Sequence, residues 1–336
     1  MKEAIRRFYQ EWEPDLLLEV IGEKDFGRRE FAVAPYSGPN MIRNLFFENV
    51  DELKKYLIEI VPIKAYVGSV YVRSGPVIPS GKSVGELSVD YRELTFDIDL
   101  TDYNDVRREI EGCRCRMEGK KVCPKCRPLA NRALVILRRI AEDMFGTTRY
   151  KAFFSGRRGV HFRIYDENAR KLAEEERYKL AAMLQVVHPS ASLEPAKVLV
   201  PAKSHSLRLI VFEETVLYRV KKEGSLHKLS RLFSRRGIRP PRGYRKDLEI
   251  FLNKGVRNAS YHEFVERVFN EGFEAIKDII RKYYVRIDLK ALTDSKRLMK
   301  IPGSLDASTM AVVEEIPKEE FETRMPEILR RQSSQV

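Results

Sequence analysis

One stretch limits this chain more than any other: Tyr91 to Leu100, YRELTFDIDL. Leu94, Phe96, Ile98 and Leu100 alternate with Thr95, Asp97 and Asp99, so an extended backbone puts the apolar set on one face and the acids on the other. A helix would scatter both sets around its axis. The segment therefore reads as a strand with one face in a core, which commits the rest of the chain to supplying a sheet. Two aspartates at i and i+2 of a strand point the same way. Their carboxylates then stand side by side as hard oxygen ligands suited to Mg²⁺ or Mn²⁺. The plainer alternative is a solvent-facing strand with two ordinary acids.

The flanking sequence supplies partners for such a strand. Pro128 precedes LANRALVILRRIAEDMFG, in which Leu129, Leu134, Leu137, Ile140 and Met144 recur at helical spacing until Gly146 stops the pattern. From Tyr150, YKAFFSGRRGVHFRIYD reads as two short strands flanking a tight turn at Gly156 to Gly159. Helices are also expected over Glu52 to Ile60, from about Asn168 to Val187, and over Tyr261 to Tyr284, with YVRIDL after the last as a strand returning to the core. Glu30 to Val33 is a short apolar run. Between His188 and Tyr261 periodicity is weak, and RLFSRRGIRPPRGYRK reads as an exposed loop. The expected fold class is mixed α/β (α+β), with a core from residues 1–187 and 262–336 and an inserted subdomain over 188–261.

Composition narrows the class. A chain of 336 residues, 43% of them hydrophobic, can bury a large core. No run approaches the roughly eighteen uncharged apolar residues of a membrane span, so no membrane partner is expected. The N-terminus MKEAIRRFYQEWEPD has no apolar signal stretch, which points to the cytosol or its equivalent. Lysine and arginine number 62 against 49 aspartates and glutamates, a net charge of +13 that favours a polyanionic partner.

Three constellations could carry chemistry. Asp288, after Val285, Arg286 and Ile287, adds a third carboxylate to Asp97 and Asp99, and three carboxylates around one or two metals meet the needs of nucleotidyl transfer. The turn SGRRGVH offers Ser155, Arg157, Arg158 and His161: glycines admit backbone amides to an anion, and guanidiniums fork onto phosphate oxygens. A simply solvated basic turn is the competing reading. Lys300, in KRLMKIPGSL, could add a point charge to the same site. All four cysteines, Cys113, Cys115, Cys123 and Cys126, fall in CRCRMEGKKVCPKC, a C-x-C pair followed by a C-x-x-C pair. That spacing suits a closed tetrahedral thiolate site holding structural Zn²⁺; two disulfides are the alternative, disfavoured without a secretion signal. His188, His205, His227 and His262 read as isolated, and only His205, in the basic SHSLRLI, is placed near phosphate.

With these residues assembled, the sequence resembles the small catalytic subunit of archaeal and eukaryotic-type DNA primases, of the primase-polymerase superfamily. LTFDIDLTDYNDVR, CPKC and SGRRGVHFRIYDENARKL carry the likeness, supported by REFAV at Arg29 and by RIDLKALTDSKRLMKIPGSL. It runs from about residue 5 to 310 and is weakest in the middle third. The resemblance implies a primase-polymerase core with a metal cleft, a structural zinc motif at 113–126 and a smaller, largely helical inserted subdomain. It implies metal-dependent synthesis of short primers on a single-stranded DNA template from nucleoside triphosphates, beside a large primase subunit, in cytoplasm or nucleus. It places Asp97, Asp99 and Asp288 as catalytic ligands of Mg²⁺ or Mn²⁺. Ser155, Arg157, Arg158, His161 and Lys300 fall at nucleotide phosphates, and the four cysteines at Zn²⁺. Related primase-polymerases of end joining or damage tolerance share the acidic triad, and a catalytically dead zinc-bearing nucleic-acid-binding protein is the reading from another class. One position departs from the pattern: where the family reads S-L/V-H, with its histidine on the incoming triphosphate, this chain has Asp306. The acid faces phosphate and weakens binding, pairs with Lys300 or Arg297, or lies in a loop turned to solvent.

Overall fold

The computed structural model describes residues 1–38, 41–72, 87–113, 115, 122–188, 194–223, 229, 231, 233–234 and 243–322. Two antiparallel sheets organise them. The first joins β1 (Arg29–Pro35), β2 (Ile42–Leu45), β3 (Pro62–Tyr71) and β4 (Val89–Tyr91) in the order β2-β1-β3-β4. The second contains β5 (Leu94–Asp99), β6 (Tyr150–Phe154) and β7 (Gly159–Ile164). Near the C-terminus lie four two-residue strands, β8 (Met299–Lys300), β9 (Leu305–Asp306), β10 (Ala311–Val312) and β11 (Glu315–Ile316). β11 completes the second sheet, ordered β11-β6-β7-β5, β8 pairs with β3 of the first, and β9 and β10 pair with each other.

The alternation in β5 is realised as expected: Leu94, Phe96, Ile98 and Leu100 are fully buried. They pack with the helix Arg127–Arg139 and with the helices between His205 and Tyr283 in one apolar core. A second core gathers the N-terminal helices Lys2–Glu11, Asp15–Ile21 and Val50–Ile60 against the first sheet, and Phe153 of β6 belongs to it, so the two sheets share a seam. An ion pair crosses that seam: Arg29 of β1 forks onto Glu93, just before β5, through two 3.0 Å hydrogen bonds, with both side chains buried. Breaking such a pair leaves an uncompensated buried charge, so it fixes how β5 meets the first sheet more firmly than it adds net stability.

Local chemistry explains the element ends. Asn49 caps Val50–Ile60 by accepting from the Glu52 amide at 3.1 Å. Pro128 sits in the first turn of Arg127–Arg139, where its missing N–H costs nothing. That helix runs on into a π turn, Ile140–Met144, and Gly146 at φ 63° ends it.

Three expectations are corrected. The stretch from Asn168 to Val187 is a short helix Glu167–Arg170 and a second, Glu174–Leu184. Gly272 divides the amphipathic stretch into Ala259–Glu271 and Phe273–Tyr283. YVRIDL returns to the core but joins no sheet: its tie to β5 is the Asp288 amide donating to the Asp97 carbonyl at 3.0 Å. Much of the loop expected at RLFSRRGIRPPRGYRK, residues 235–242 above all, lies outside the described residues, as does the terminal RRQSSQV. No helix of the described residues is long and apolar enough to cross a membrane.

Candidate nucleotide and metal site

β5 and β7 pair with Asp97 opposite His161 and Asp99 opposite Gly159. This register brings the two aspartates and the basic turn to the same end of the same sheet. The turn is closed by Ser155, whose amide donates to the Gly159 carbonyl at 3.0 Å and whose hydroxyl accepts from the Gly159 amide at 3.2 Å. Glycine is required on both sides of it. Gly156 has φ 76°, and a Cβ on Gly159 would stand 2.3 Å from the Ile98 carbonyl oxygen.

The carboxylates are crowded and only partly screened. Asp97, about a quarter exposed, is pushed up to about 7 by burial, then by the charges of Asp288 and Asp99. Burial opposes ionisation of Asp99 too, but the Arg158 guanidinium outweighs it from 2.7 and 2.8 Å, with help from the Thr101 amide, and holds that carboxyl below its usual value. Asp288 accepts from the Lys290 amide, capping the helix Leu289–Thr293, and from Arg297 at 3.0 Å. Asp102, in the turn after β5, is a fourth carboxylate of the group, raised to about 6 by burial and by Asp99 and Asp288. Asp97, Asp99, Asp102 and Asp288 thus lie close enough to feel one another's charge, with Arg158 and Arg297 as the cations at hand.

Asp97, His161 and Lys300 line one cleft of about 360 Å³, together with Arg43, Tyr66 and Arg297. His161 is buried, and burial with the neighbouring charges of Arg163 and Lys300 keeps its imidazole neutral, well below the usual histidine range. Its Nε2 lies 3.7 Å from Asp97, too far for a hydrogen bond, and its Nδ1 has no partner among the described residues. Lys300 Nζ donates to the Ser155 carbonyl and to Asp306, both at 2.5 Å. Asp306 is completely buried and also accepts from the Ser308 amide and hydroxyl. Of the three possibilities open in the sequence, the structure therefore selects pairing with Lys300. Arg157, in the turn, is partly exposed and is not among the residues that line the cleft; it makes no hydrogen bond or ion pair among the described residues.

The cysteine cluster is a different kind of site. All four thiols are free, and their sulfurs lie within 4.8 Å of one another. Cys123 is 3.5 Å from Cys113 and 3.9 Å from Cys126, close to the edge of about 3.8 Å that a tetrahedron with 2.3 Å metal–sulfur arms requires. Burial opposes ionisation of Cys123, but the Cys126 amide, the thiols of Cys115 and Cys113 and the Lys125 amide outweigh it, holding that thiol at about 6. The set could hold a metal such as zinc. Residues 116–121 of the intervening segment lie outside the described residues.

Sequence reasoning missed Arg43, Tyr66 and Asp102, which border the site but stand in no pattern of their own, and it offered Arg297 as a partner of Asp306, whereas Arg297 pairs with Asp288. It also read His205 and His262 as isolated, whereas their ring nitrogens are 2.7 Å apart, with Glu266 3.3 Å from His205, on the helical side of the molecule.

Comparison with known proteins places most of this region in one family. Residues 96–316 match the family model described as DNA primase small subunit. The DNA primase small subunit of Schizosaccharomyces pombe is 37% identical over 168 residues, 48% of this chain and 34% of that protein. That of Drosophila melanogaster is 28% identical over 295 residues, 80% of this chain and 64% of its own length. The small subunit PriS of Pyrobaculum calidifontis is 28% identical over 305 residues, 90% and 75% of the two chains. The chain thus spans about one third to two thirds of the two eukaryotic relatives.

Proposed function

Because this chain belongs to the DNA primase small-subunit family, we propose that it joins nucleoside triphosphates on a single-stranded DNA template to make short primers for replication. The observation that carries the proposal is the β5–β7 register, which sets Asp97 and Asp99 beside the Ser155–Gly159 turn. Asp97, Asp99 and Asp288 would hold Mg²⁺ or Mn²⁺, which when bound activates the attacking hydroxyl and offsets phosphate charge. The chain's own groups do the rest. Arg157, Arg158 and neutral His161 present donors to the incoming triphosphate, and Gly156 and Gly159 let the turn that carries them fold closely against Asp306 and Ile98.

Lys300 has a lesser role in this reading than its family position implies. Its charge is shared with Asp306 inside the protein, so it orients the Ser155 turn by its bond to that carbonyl and attracts phosphate weakly. The four cysteines hold Zn²⁺ as a structural element. A core of residues 1–187 and 262–336 with an insertion over 188–261 goes with the reading, as do a large-subunit partner and a place in the cytoplasm or nucleus.

The test is incorporation of labelled nucleotide on a primed single-stranded template with Mg²⁺ or Mn²⁺. Asp97→Asn, Asp99→Asn and Asp288→Asn should each lower the rate about a thousandfold, roughly 4 kcal/mol of transition-state stabilisation. Near-parent rates in all three would dismiss the acidic triad, and template affinity without any product would favour a binding protein.

A further inference from the structure

Asp97 and Asp288 stand 191 residues apart in the chain and must be held at a fixed separation to share a metal. Oxygen ligands tolerate errors of about 0.5 Å before a site loosens. The segment that delivers Asp288 has no strand ladder to set that distance; its backbone meets β5 through the Asp288 amide. Something else must fix it.

We infer that Arg286 and Asp105 are positioning residues whose buried ion pair sets the separation between the aspartate strand and the segment carrying Asp288. The inference rests on the metal reading given above for those carboxylates. Asp105 lies in the first turn of the helix Asn104–Glu109 that follows β5, and Arg286 lies two residues before Asp288. Both side chains are buried, at 1% and 0% exposure. The guanidinium forks onto the carboxylate at 2.5 and 3.1 Å. It also donates to the Asp102 carbonyl, in the turn that ends β5, and stacks over the Tyr103 ring at 4.8 Å. The Arg286 amide donates to the Tyr103 hydroxyl at 2.9 Å, which adds a second tether to the same turn. Asp105 is fastened from two further directions, by Arg281 at 2.9 Å and by the Ala196 amide at 2.9 Å.

A buried ion pair is a poor device for stability alone, because an apolar pair of similar size often serves as well or better. What an apolar pair lacks is direction. The planar fork fixes both distance and angle between its partners, and here those partners border the two halves of the carboxylate group. Groups that orient metal ligands in this way typically change metal affinity about tenfold to a hundredfold when lost.

The test uses the full-length, zinc-replete protein and Mn²⁺ as the probe, titrated without nucleotide, with Asp97→Asn reporting the site-specific part. Arg286→Lys keeps the charge but loses the fork, and it should bind Mn²⁺ about tenfold more weakly with its melting temperature little changed. Hydrogen exchange of the peptide spanning 284–290 should quicken by about tenfold. The double variant Asp105→Leu with Arg286→Met removes both charges; it should fold and show the same two losses, and it carries the test if Arg286→Lys does not fold. Unchanged Mn²⁺ affinity in a protein whose binding depends on Asp97 overturns the inference, and so does failure of both variants to fold, which would make the pair a stability element. If the parent binds no Mn²⁺ through Asp97, the metal reading is what fails. Exchange at 284–290 then decides the positioning role, with unchanged rates overturning it.

Discussion

The cysteine cluster and the carboxylates proposed to hold Mg²⁺ or Mn²⁺ differ in where their residues are gathered. Four sulfurs come from fourteen consecutive positions and already lie within 4.8 Å of one another. Three carboxylates come from β5 and from a distant segment, and protein cations hold them meanwhile: Arg158 on Asp99 and Arg297 on Asp288. A closed soft site can be built by local sequence and left alone. The carboxylates, drawn from distant segments, are kept together by arginines instead, and on the proposed reading that arginine charge would also serve the substrate.

The largest expected effect tests the closed half of this contrast. Cys126 is buried where the helix Arg127–Arg139 begins, and Cys126→Ser should lose the zinc equivalent seen by elemental analysis and about 3 kcal/mol of unfolding free energy in urea. Parent stability in a zinc-free variant would mean that the cluster is no structural element. A smaller effect is expected at the open site. Arg158→Ala should raise the nucleotide requirement by about 1.5–3 kcal/mol, tenfold or more in KM, with template affinity almost unchanged. Should single-strand affinity fall instead, the turn belongs to the template.

An effect of similar size concerns the burial of Asp97 and the charges crowded around it. In the metal-free protein Asp97 keeps its proton up to about pH 7, whereas the unfolded chain releases it near 3.8. Between these values the folded state binds the extra proton, so stability falls as pH rises through that window and levels off above it. Asp97→Asn removes the penalty. In urea it should gain about 2 kcal/mol at pH 8, allowing for the solvent that still reaches the side chain, and nothing near pH 3.5. Equal gains at both pH values would show that neither burial nor the neighbouring carboxylates hold the Asp97 proton.

What could be read in the sequence was whatever one element encodes by itself. The β5 alternation, the Gly156–Gly159 turn and the cysteine spacing are local patterns, and each reappears in the fold. Their mutual placement is not local: nothing in LTFDIDL or SGRRGVH states that Asp97 faces His161 across a ladder. YVRIDL was misread for the same reason, since Val285 and Ile287 are buried as a strand's would be, while the segment is tied by single backbone amides and the Arg286 side chain rather than by a ladder. The arginine between those two apolar residues was the available clue, because a cation inside an apolar run needs a buried partner. Asp306 could not be decided in sequence at all, as its two candidate cations, Arg297 and Lys300, are separated only by the path of the loop.

That loop has a consequence for how the chain can change over generations. Given a lysine at position 300, acquiring aspartate at 306 takes one substitution and finds a partner waiting, with Ser308 to complete its hydrogen bonds. Leaving is harder. Any neutral residue at 306 strands a largely buried ammonium, a defect of about 3 kcal/mol or more, and any neutral residue at 300 strands a fully buried carboxylate. The two positions are therefore coupled: a substitution that removes either charge alone carries this cost, whereas replacing both together removes it.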